Sequence, residues 1–280
     1  MNNEKQIFFH VGLGKTGTTY LQYNVFPCFE KISYVQRSNY HNFEYVEKVN
    51  SAPEKNVLVS REFDHQLEEE CKKIHSVFSN AKIIIVFRKH GSWLASQYRR
   101  SVKNGYADSF QEYVSLGTKE GVFNHDDMIY FNKIKFLENL FKSKPLVLFY
   151  EDMKQDPFTF FDTICKFTGA SYKQKNINLH PKHKSYNEQQ LKAIRKLNGK
   201  IFHHQFGYSK NKYINQMQRI FRMLPRYTVL YAAKIFPKDC FGEKPLIPFD
   251  EIKAIDNYYG EDWKNCRQYA AERNKNIMPA

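Results

Sequence analysis

Four short apolar runs alternate with segments of helical periodicity over the first 170 residues of the chain. The runs are 6–12, 56–60, 82–87 and 145–150. The third run, KIIIVF, is apolar at nearly every position, which is typical of a central strand buried on both faces of a parallel sheet. Repeated strand–helix units predict an α/β fold, a doubly wound parallel sheet flanked by helices, with ligands bound at the carboxyl ends of the strands.

The segments between and after these runs have the spacing of amphipathic helices. Phe63, Leu67, Ile74 and Phe78 recur at helical intervals after the second run. We therefore predict helices over 16–26, 63–78, 92–104 and 157–169. Ser92 can cap the third of these helices, and Gly105 can end it.

Beyond about residue 170 the pattern is helical only, with Leu191, Ile194, Leu197 and Ile201 at intervals of three and four. No internal repeat or Gly/Pro/Ser-rich linker divides the 280 residues. We predict one domain over 1–280. It consists of an α/β core at 6–170 and a basic, mainly helical extension at 171–280.

Cysteine usage and hydropathy indicate a cytoplasmic protein. The five cysteines are an odd number and form no C-x-x-C pair, so disulfides and a zinc site are not expected. No segment approaches the roughly 18 apolar residues that a membrane-spanning helix needs, and the first six residues do not resemble a signal peptide. We expect reduced thiols, no bound metal and no membrane span.

The positive charge is concentrated in one region. The formal net charge is +14, and residues 171–240 contain 15 Lys or Arg against two acids, Glu188 and Asp239. Between 219 and 238 the cations alternate with apolar residues in the manner of a surface helix. The region is predicted to be a solvated face, a surface for an anionic acceptor, or a peripheral contact with the inner face of a membrane. Nucleic acid is the least favoured partner because no nucleic-acid-binding motif is present.

The loop between the first strand and the first helix has the composition of an anion site. It contains Gly12, Gly14 and Gly17, and the backbone amides at such a turn can hold a phosphate. A Walker A loop, G-x-x-x-x-G-K-[ST], would place a lysine where Thr18 stands, whereas the lysine here is Lys15. The loop is therefore P-loop-like, and it argues against an ATP or GTP hydrolase. A small-molecule kinase stays open as an alternative.

Three segments resemble the sulfotransferases that use 3′-phosphoadenosine 5′-phosphosulfate (PAPS). The string K-T-G-T-T-Y-L from Lys15 to Leu21 resembles the family's 5′-phosphosulfate loop, P-K-[ST]-G-T-T-W-L. Arg88 and Ser96 match its second signature, a strand-end Arg and a Ser eight residues later that together bind the 3′-phosphate. Residues 149–169 are similar to its strand–loop–helix with Y-E-D and D-P.

The resemblance implies roles for further residues. Those expected to bind the cofactor are Gly14, Lys15, Thr16, Gly17, Thr18, Thr19, Arg88 and Ser96. Lys15 would stabilise the leaving oxygen between the sulfate and the 5′-phosphate, with no metal required. Lys182, Lys184 and Ser185 are further cofactor candidates, whereas Glu151 and Asp152 are expected to be structural.

The acceptor hydroxyl needs a general base, which in this family is a Glu or His beside the phosphosulfate loop. We predict Glu62, because it follows the second strand and should lie at the same sheet edge as Lys15 and Arg88. The alternative is that Glu62 only stabilises the first turn of the next helix. Other candidates for the base or its partners are His65, Arg61, His10 and His125.

The resemblance also sets the expected reaction. A sulfotransferase of this family would move the sulfuryl group of PAPS to a hydroxyl and release 3′-phosphoadenosine 5′-phosphate (PAP). The bacterial carbohydrate sulfotransferases are the most similar branch, so a carbohydrate or glycolipid acceptor is favoured, anionic or lipid-linked. A small-molecule natural product and a peptidyl tyrosine are the alternative acceptors.

Overall fold

The computed structural model describes residues 5–37, 44–117, 120–180, 186–201 and 212–275. The chain divides into two compact units. Unit 1 contains 1–93, 126–182 and 256–280, and unit 2 contains 94–125 and 183–255. The predicted single domain with a boundary near residue 170 stays a prediction.

Unit 1 contains a parallel sheet of five strands. They are β1 (Gln6–Gly12), β2 (Ser33–Val35), β3 (Asn56–Glu62), β4 (Lys82–Phe87) and β5 (Leu146–Phe149), in the order β2-β3-β1-β4-β5. The four predicted strands and the parallel α/β fold are confirmed. The short edge strand β2 was not predicted.

Helices surround this sheet and form most of unit 2. Their bounds are α1 (Thr18–Tyr20), α2 (Tyr45–Asn50), α3 (Leu67–Val77), α4 (His90–Asn104), α5 (Phe110–Val114), α6 (His125–Met128), α7 (Tyr130–Phe141), α8 (Tyr150–Gln155), α9 (Pro157–Thr168), α10 (Glu188–Ile201), α11 (Lys212–Ala232), α12 (Phe249–Tyr258) and α13 (Gly260–Lys275). No helix within the described ranges is long and apolar enough to cross a membrane.

The predicted helix ends are correct in some places and wrong in others. Gly105 and Gly169 follow α4 and α9 with φ of 124° and 74°, a left-handed conformation that glycine adopts without strain. The helix predicted over 16–26 is instead the single turn α1, followed by a π-helical turn and a 3₁₀ turn that contains Pro27. Ser92 is not a cap, because α4 begins two residues earlier, at His90.

The core of unit 1 lies on both faces of the sheet. On one face Phe8, Ile84 and Leu148 belong to a buried cluster that also contains Phe161 of α9. The neighbouring residues on the same strands, such as Phe9 and Ile85, point to the opposite face and are equally buried. Burial on both faces requires nearly continuous apolar strands, which is why these strands are recognisable in the sequence.

Unit 2 is held together by helix-to-helix hydrogen bonds as well as apolar packing. Asn198 of α10 is buried and its side-chain amide donates to the carbonyls of Val102 and Tyr106, at 2.7 and 2.9 Å. The amide of Gln190 donates to the Leu230 carbonyl of α11 at 2.7 Å. These bonds join α10 to backbone carbonyls at and just after the end of α4 and near the end of α11.

Candidate functional site

The carboxyl edge of the sheet brings the predicted loop and the predicted base together. In the parallel pairing of β1 with β3, Gly12 lies opposite Glu62. Glu62 is the last residue of β3, and α3 begins only at Leu67. The alternative in which Glu62 lies in the first turn of a helix is therefore wrong, because four residues lie between it and that helix.

Two carboxylates flank Gly14. The Gly14 amide donates to Oδ1 of Asp64 at 2.8 Å. A Cβ built on Gly14 would lie 2.9 Å from that oxygen and 2.9 Å from Oε1 of Glu62. A side chain at this position would force both carboxylates to move. Gly14, where the family pattern has Pro, thus lets the loop pass close to Glu62.

The loop itself contains two left-handed residues. Lys15 has φ of 69° and Gly17 has φ of 88°. A Cβ on Gly17 would clash with the Met153 side chain. The buried Thr16 and Thr18 hydroxyls both donate to the Leu13 carbonyl, at 2.6 and 3.2 Å. These two hydroxyls therefore form hydrogen bonds within the loop, whereas Thr19 is exposed to solvent.

Two donors hold the backbone carbonyls on either side of the Lys15 Cα. The indole nitrogen of Trp93 donates to the Gly14 carbonyl at 2.7 Å, and Nη1 of Arg88 donates to the Lys15 carbonyl at 3.1 Å. Trp93 is almost completely buried. This arrangement fixes the backbone from which the Lys15 side chain projects.

Arg88 has further contacts that orient it. Its Nε donates to the Ser92 hydroxyl at 2.8 Å, and its guanidinium lies 4.6 Å from the centre of the Tyr150 ring. Burial lowers the pKa of Arg88, while the nearby Tyr150 and Glu151 oppose that shift. An arginine remains a cation even so, and Arg88 is therefore a positive charge directly beside the loop. Ser96 lies on α4, eight residues further along, and is partly buried.

The other candidate bases have different surroundings. His10 is fully buried, its Nδ1 lies 2.8 Å from the Ser60 hydroxyl, and burial lowers its pKa to about 3. Nδ1 of His65 lies 3.2 Å from Oδ2 of Asp127. Arg61 forms an ion pair with Glu70 at 3.0 Å. His125 is the first residue of α6.

Glu151 and Asp152, which follow β5, bind other groups of the protein. Oε1 of Glu151 accepts a hydrogen bond from the Lys89 amide at 3.0 Å. Asp152 forms a two-pronged ion pair with Arg267 at 2.7 and 2.8 Å. Lys182, Lys184 and Ser185 lie outside the described residues.

Asp64 and Trp93 contact the loop backbone and were not identified in the sequence. The only signals for them were the presence of an acid two residues after Glu62 and of one of the two tryptophans five residues after Arg88. Within the described parts of the chain, no group of three or more His, Cys, Asp or Glu side chains is arranged as a metal site.

The solved structures similar to the chain include a sulfotransferase from Alicyclobacillus acidocaldarius, at 14% identity, and mouse sulfotransferase SULT7A1 complexed with PAP, at 13% identity. The first similarity covers 85% of this chain and 99% of that chain with a TM-score of 0.49, and the second covers 96% and 89% with a TM-score of 0.43.

No curated protein has a sequence significantly similar to this chain. The sequence profile described as "Sulfotransferase domain", in contrast, matches residues 5–219, well over half of the chain. The matched range includes Lys15, Glu62, Arg88 and Ser96. This chain therefore belongs to the sulfotransferase domain family.

Proposed function

We propose that this protein transfers the sulfuryl group of PAPS to a hydroxyl of a carbohydrate or glycolipid acceptor and releases PAP. The observation that supports this most directly is the position of Glu62. Its carboxylate approaches within 2.9 Å of the place where a Gly14 Cβ would stand, next to Lys15. A cation for the leaving oxygen and a carboxylate for the acceptor proton are thus on adjacent chain segments.

The reaction would be an in-line exchange of one sulfur–oxygen bond for another. The bond between sulfur and the oxygen bridging to the 5′-phosphate breaks, while the acceptor oxygen forms a new bond to sulfur. The bridging oxygen keeps the electron pair, and the Lys15 ammonium stabilises the negative charge that develops there. The acceptor hydroxyl gives its proton to Glu62.

The loop would hold the 5′-phosphosulfate through its backbone. The candidate contacts are the amides of residues 16–19, together with the exposed hydroxyl of Thr19. Arg88 and Ser96 would bind the 3′-phosphate, as in the family motif. Members of this family use PAPS, and the chemistry of these donors suits a nucleotide with two phosphorylated ends.

A ligand-binding experiment separates this proposal from a kinase. PAP should raise the melting temperature of the protein, because a ligand that binds only the folded state stabilises it by an amount that grows with the logarithm of its concentration relative to its Kd. ATP with magnesium should raise it much less at the same concentration. An equal or larger shift with ATP would contradict the proposal and favour the small-molecule kinase.

Ser96 offers a clean test of the 3′-phosphate site, because Arg88 also holds the Lys15 carbonyl. We expect Ser96→Ala to weaken PAPS binding about tenfold, the usual effect of losing one hydrogen bond to a charged group. Binding of adenosine 5′-phosphosulfate, which lacks the 3′-phosphate, should change little. Isothermal titration with both donors measures the difference, with Ser101→Ala, near the other end of α4, as the control. Equal losses for the two donors would place Ser96 elsewhere.

Trp93→Phe tests whether Lys15 can stabilise the leaving oxygen without the hydrogen bond from Trp93 to the Gly14 carbonyl. The substitution removes the indole N–H and leaves that carbonyl without its donor, which frees the backbone next to Lys15. Small displacements of a reacting group are costly, so we expect the rate of the chemical step to fall roughly tenfold to a hundredfold. Single-turnover kinetics measures this rate.

The second tryptophan provides the matched control. Trp263 packs edge-on against Phe149 of β5, with 4.9 Å between ring centres. Trp263→Phe should lower the melting temperature and leave the rate of transfer unchanged. Equal slowing of both variants would mean that Trp93 acts only through global stability.

The acceptor is best identified by a screen with labelled PAPS. Oligosaccharides, glycolipids, phenolic natural products and tyrosine peptides would be incubated with the protein, and mass spectrometry would locate the transferred group. Sulfation of a sugar hydroxyl supports the proposal. If only a phenol or a tyrosine gains sulfate, the proposed acceptor is wrong, and the acceptor is a natural product or a peptidyl tyrosine instead.

A further inference from the structure

An apolar stripe on α11 points away from the described residues of unit 2. Tyr213, Met217, Ile220, Leu224 and Tyr231 recur at intervals of three, four and seven, which places them on one face of the helix. All five side chains are exposed, Tyr213 to 77% and Leu224 to 65%. Exposed apolar patches of this extent generally mark a binding surface.

This stripe is not the face by which α11 packs within unit 2. Leu230 and Ala233, at the carboxyl end of the helix, are buried. Their carbonyls accept hydrogen bonds of 2.7 Å from the side-chain amides of Gln190 and Gln189 of α10. The packing face of α11 is therefore satisfied by α10, and the apolar stripe is a second, separate surface.

The segment that carries the stripe has formal charges of one sign. Residues 189–238 contain eleven Lys or Arg and no Asp or Glu. Lys234, two residues after the end of α11, is exposed, and its ammonium lies 5.5 Å from the centre of the Tyr231 ring of the stripe. Exposed apolar side chains in a cationic segment are the usual composition of helices that lie in the plane of a membrane surface.

We propose that α11 binds the surface of a lipid bilayer that contains anionic lipids, with its apolar stripe in the boundary between headgroups and acyl chains. From Tyr213 to Tyr231 the stripe extends about 27 Å along the helix. A stripe of this length on one side of a helix suits an extended lipid surface, and the excess of cations selects an anionic one. Nucleic acid shares the negative charge but offers no apolar surface that would cover the stripe.

Vesicle binding tests the proposal without PAPS or an acceptor, so its outcome is independent of the sulfotransferase assignment. The full chain is sedimented with vesicles of phosphatidylcholine, or of phosphatidylcholine with one third phosphatidylglycerol. We expect binding to the anionic vesicles, weak binding to the neutral ones, and release as the salt concentration rises. Equal binding to both vesicles, or binding to neither, would overturn the proposal.

The stripe is tested by the double variant Phe221→Ser with Leu224→Ser. Phe221 is exposed to 64%, and it adjoins the stripe one position after Ile220. Because both side chains are exposed, the variant should keep its fold, which circular dichroism checks. Affinity for anionic vesicles should fall at least about tenfold, since binding scales with the apolar area buried in the bilayer.

Phe249→Ser is the matched control, because Phe249 is exposed to 74% but lies on α12. It should bind vesicles as the unmodified protein does. An equal loss in Phe249→Ser would overturn the assignment to α11. So would a dimer, seen by light scattering without lipid, that Phe221→Ser with Leu224→Ser dissociates, because the stripe would then be an interface between two copies of the chain.

Discussion

Lys15→Ala should abolish sulfuryl transfer and leave the protein folded. Lys15 is the cation of the phosphosulfate loop, and removing one group that stabilises developing charge typically costs about 10²–10³-fold in rate. Its side chain is only partly buried, so its loss should affect the free energy of unfolding little. Transfer from labelled PAPS and thermal unfolding measure the two effects.

Backbone strain is the main competing explanation, and Lys31→Ala controls for it. Lys31 has φ of 65°, close to the 69° of Lys15, so both substitutions place alanine in the same left-handed conformation. Lys31 is exposed and lies just before β2. Lys31→Ala should retain full activity. Substantial turnover in a folded Lys15→Ala protein would contradict the role that we propose for Lys15.

The strands could be predicted from the sequence because both faces of the sheet are buried. Ile83, Ile84 and Ile85 of β4 are all almost fully buried although they alternate between the two faces, and such runs stand out in a sequence. β2 has only three residues, of which Ser33 and Tyr34 are partly exposed, so no comparable run precedes it. The segment after β1 was predicted as one helix because apolar spacing does not distinguish α-, π- and 3₁₀-turns.

Sequence motifs proposed the candidate site where they fix the spacing of residues. Lys15, Arg88 and Ser96 were proposed in this way. The structure places Arg88 against the Lys15 carbonyl and Glu62 opposite Gly12, and the binding role of Ser96 stays a prediction. Trp93 is 79 residues from Gly14, and Asp64 is 50 residues from it. Contacts over such separations depend on the packed structure, and no local pattern predicts them.

The basic region, residues 171–240, also has contacts that a local sequence pattern does not predict. Its composition predicted a cationic amphipathic helix, and α11 confirms that a helix is present. The sequence pattern did not reveal which face of this helix packs against α10. Only the bonds from Gln189 and Gln190 show that the apolar stripe lies outside the packed interface.

Glu62→Gln should slow the chemical step by roughly 10²–10⁴-fold, the usual contribution of a general base. Glutamine has the same size and can still accept a hydrogen bond, but it cannot take up the proton of the acceptor. Binding of PAPS should therefore be unchanged, and the loss should be in the rate constant of a single turnover. The rate should also lose the part of its pH dependence that reports the ionisation of the base.

Asp64→Asn distinguishes a general base from a group that positions the loop. Asp64 lies as close to Gly14 as Glu62 does, but it already accepts the hydrogen bond of the Gly14 amide. Asp64→Asn should weaken donor binding and keep the pH dependence of the rate, the reverse of the effect expected for Glu62→Gln. If Glu62→Gln instead lost PAPS binding, Glu62 would be a positioning residue. If Glu62→Gln kept full activity while His65→Ala lost it, the base would be His65, because His10 is fully buried and cannot reach an acceptor.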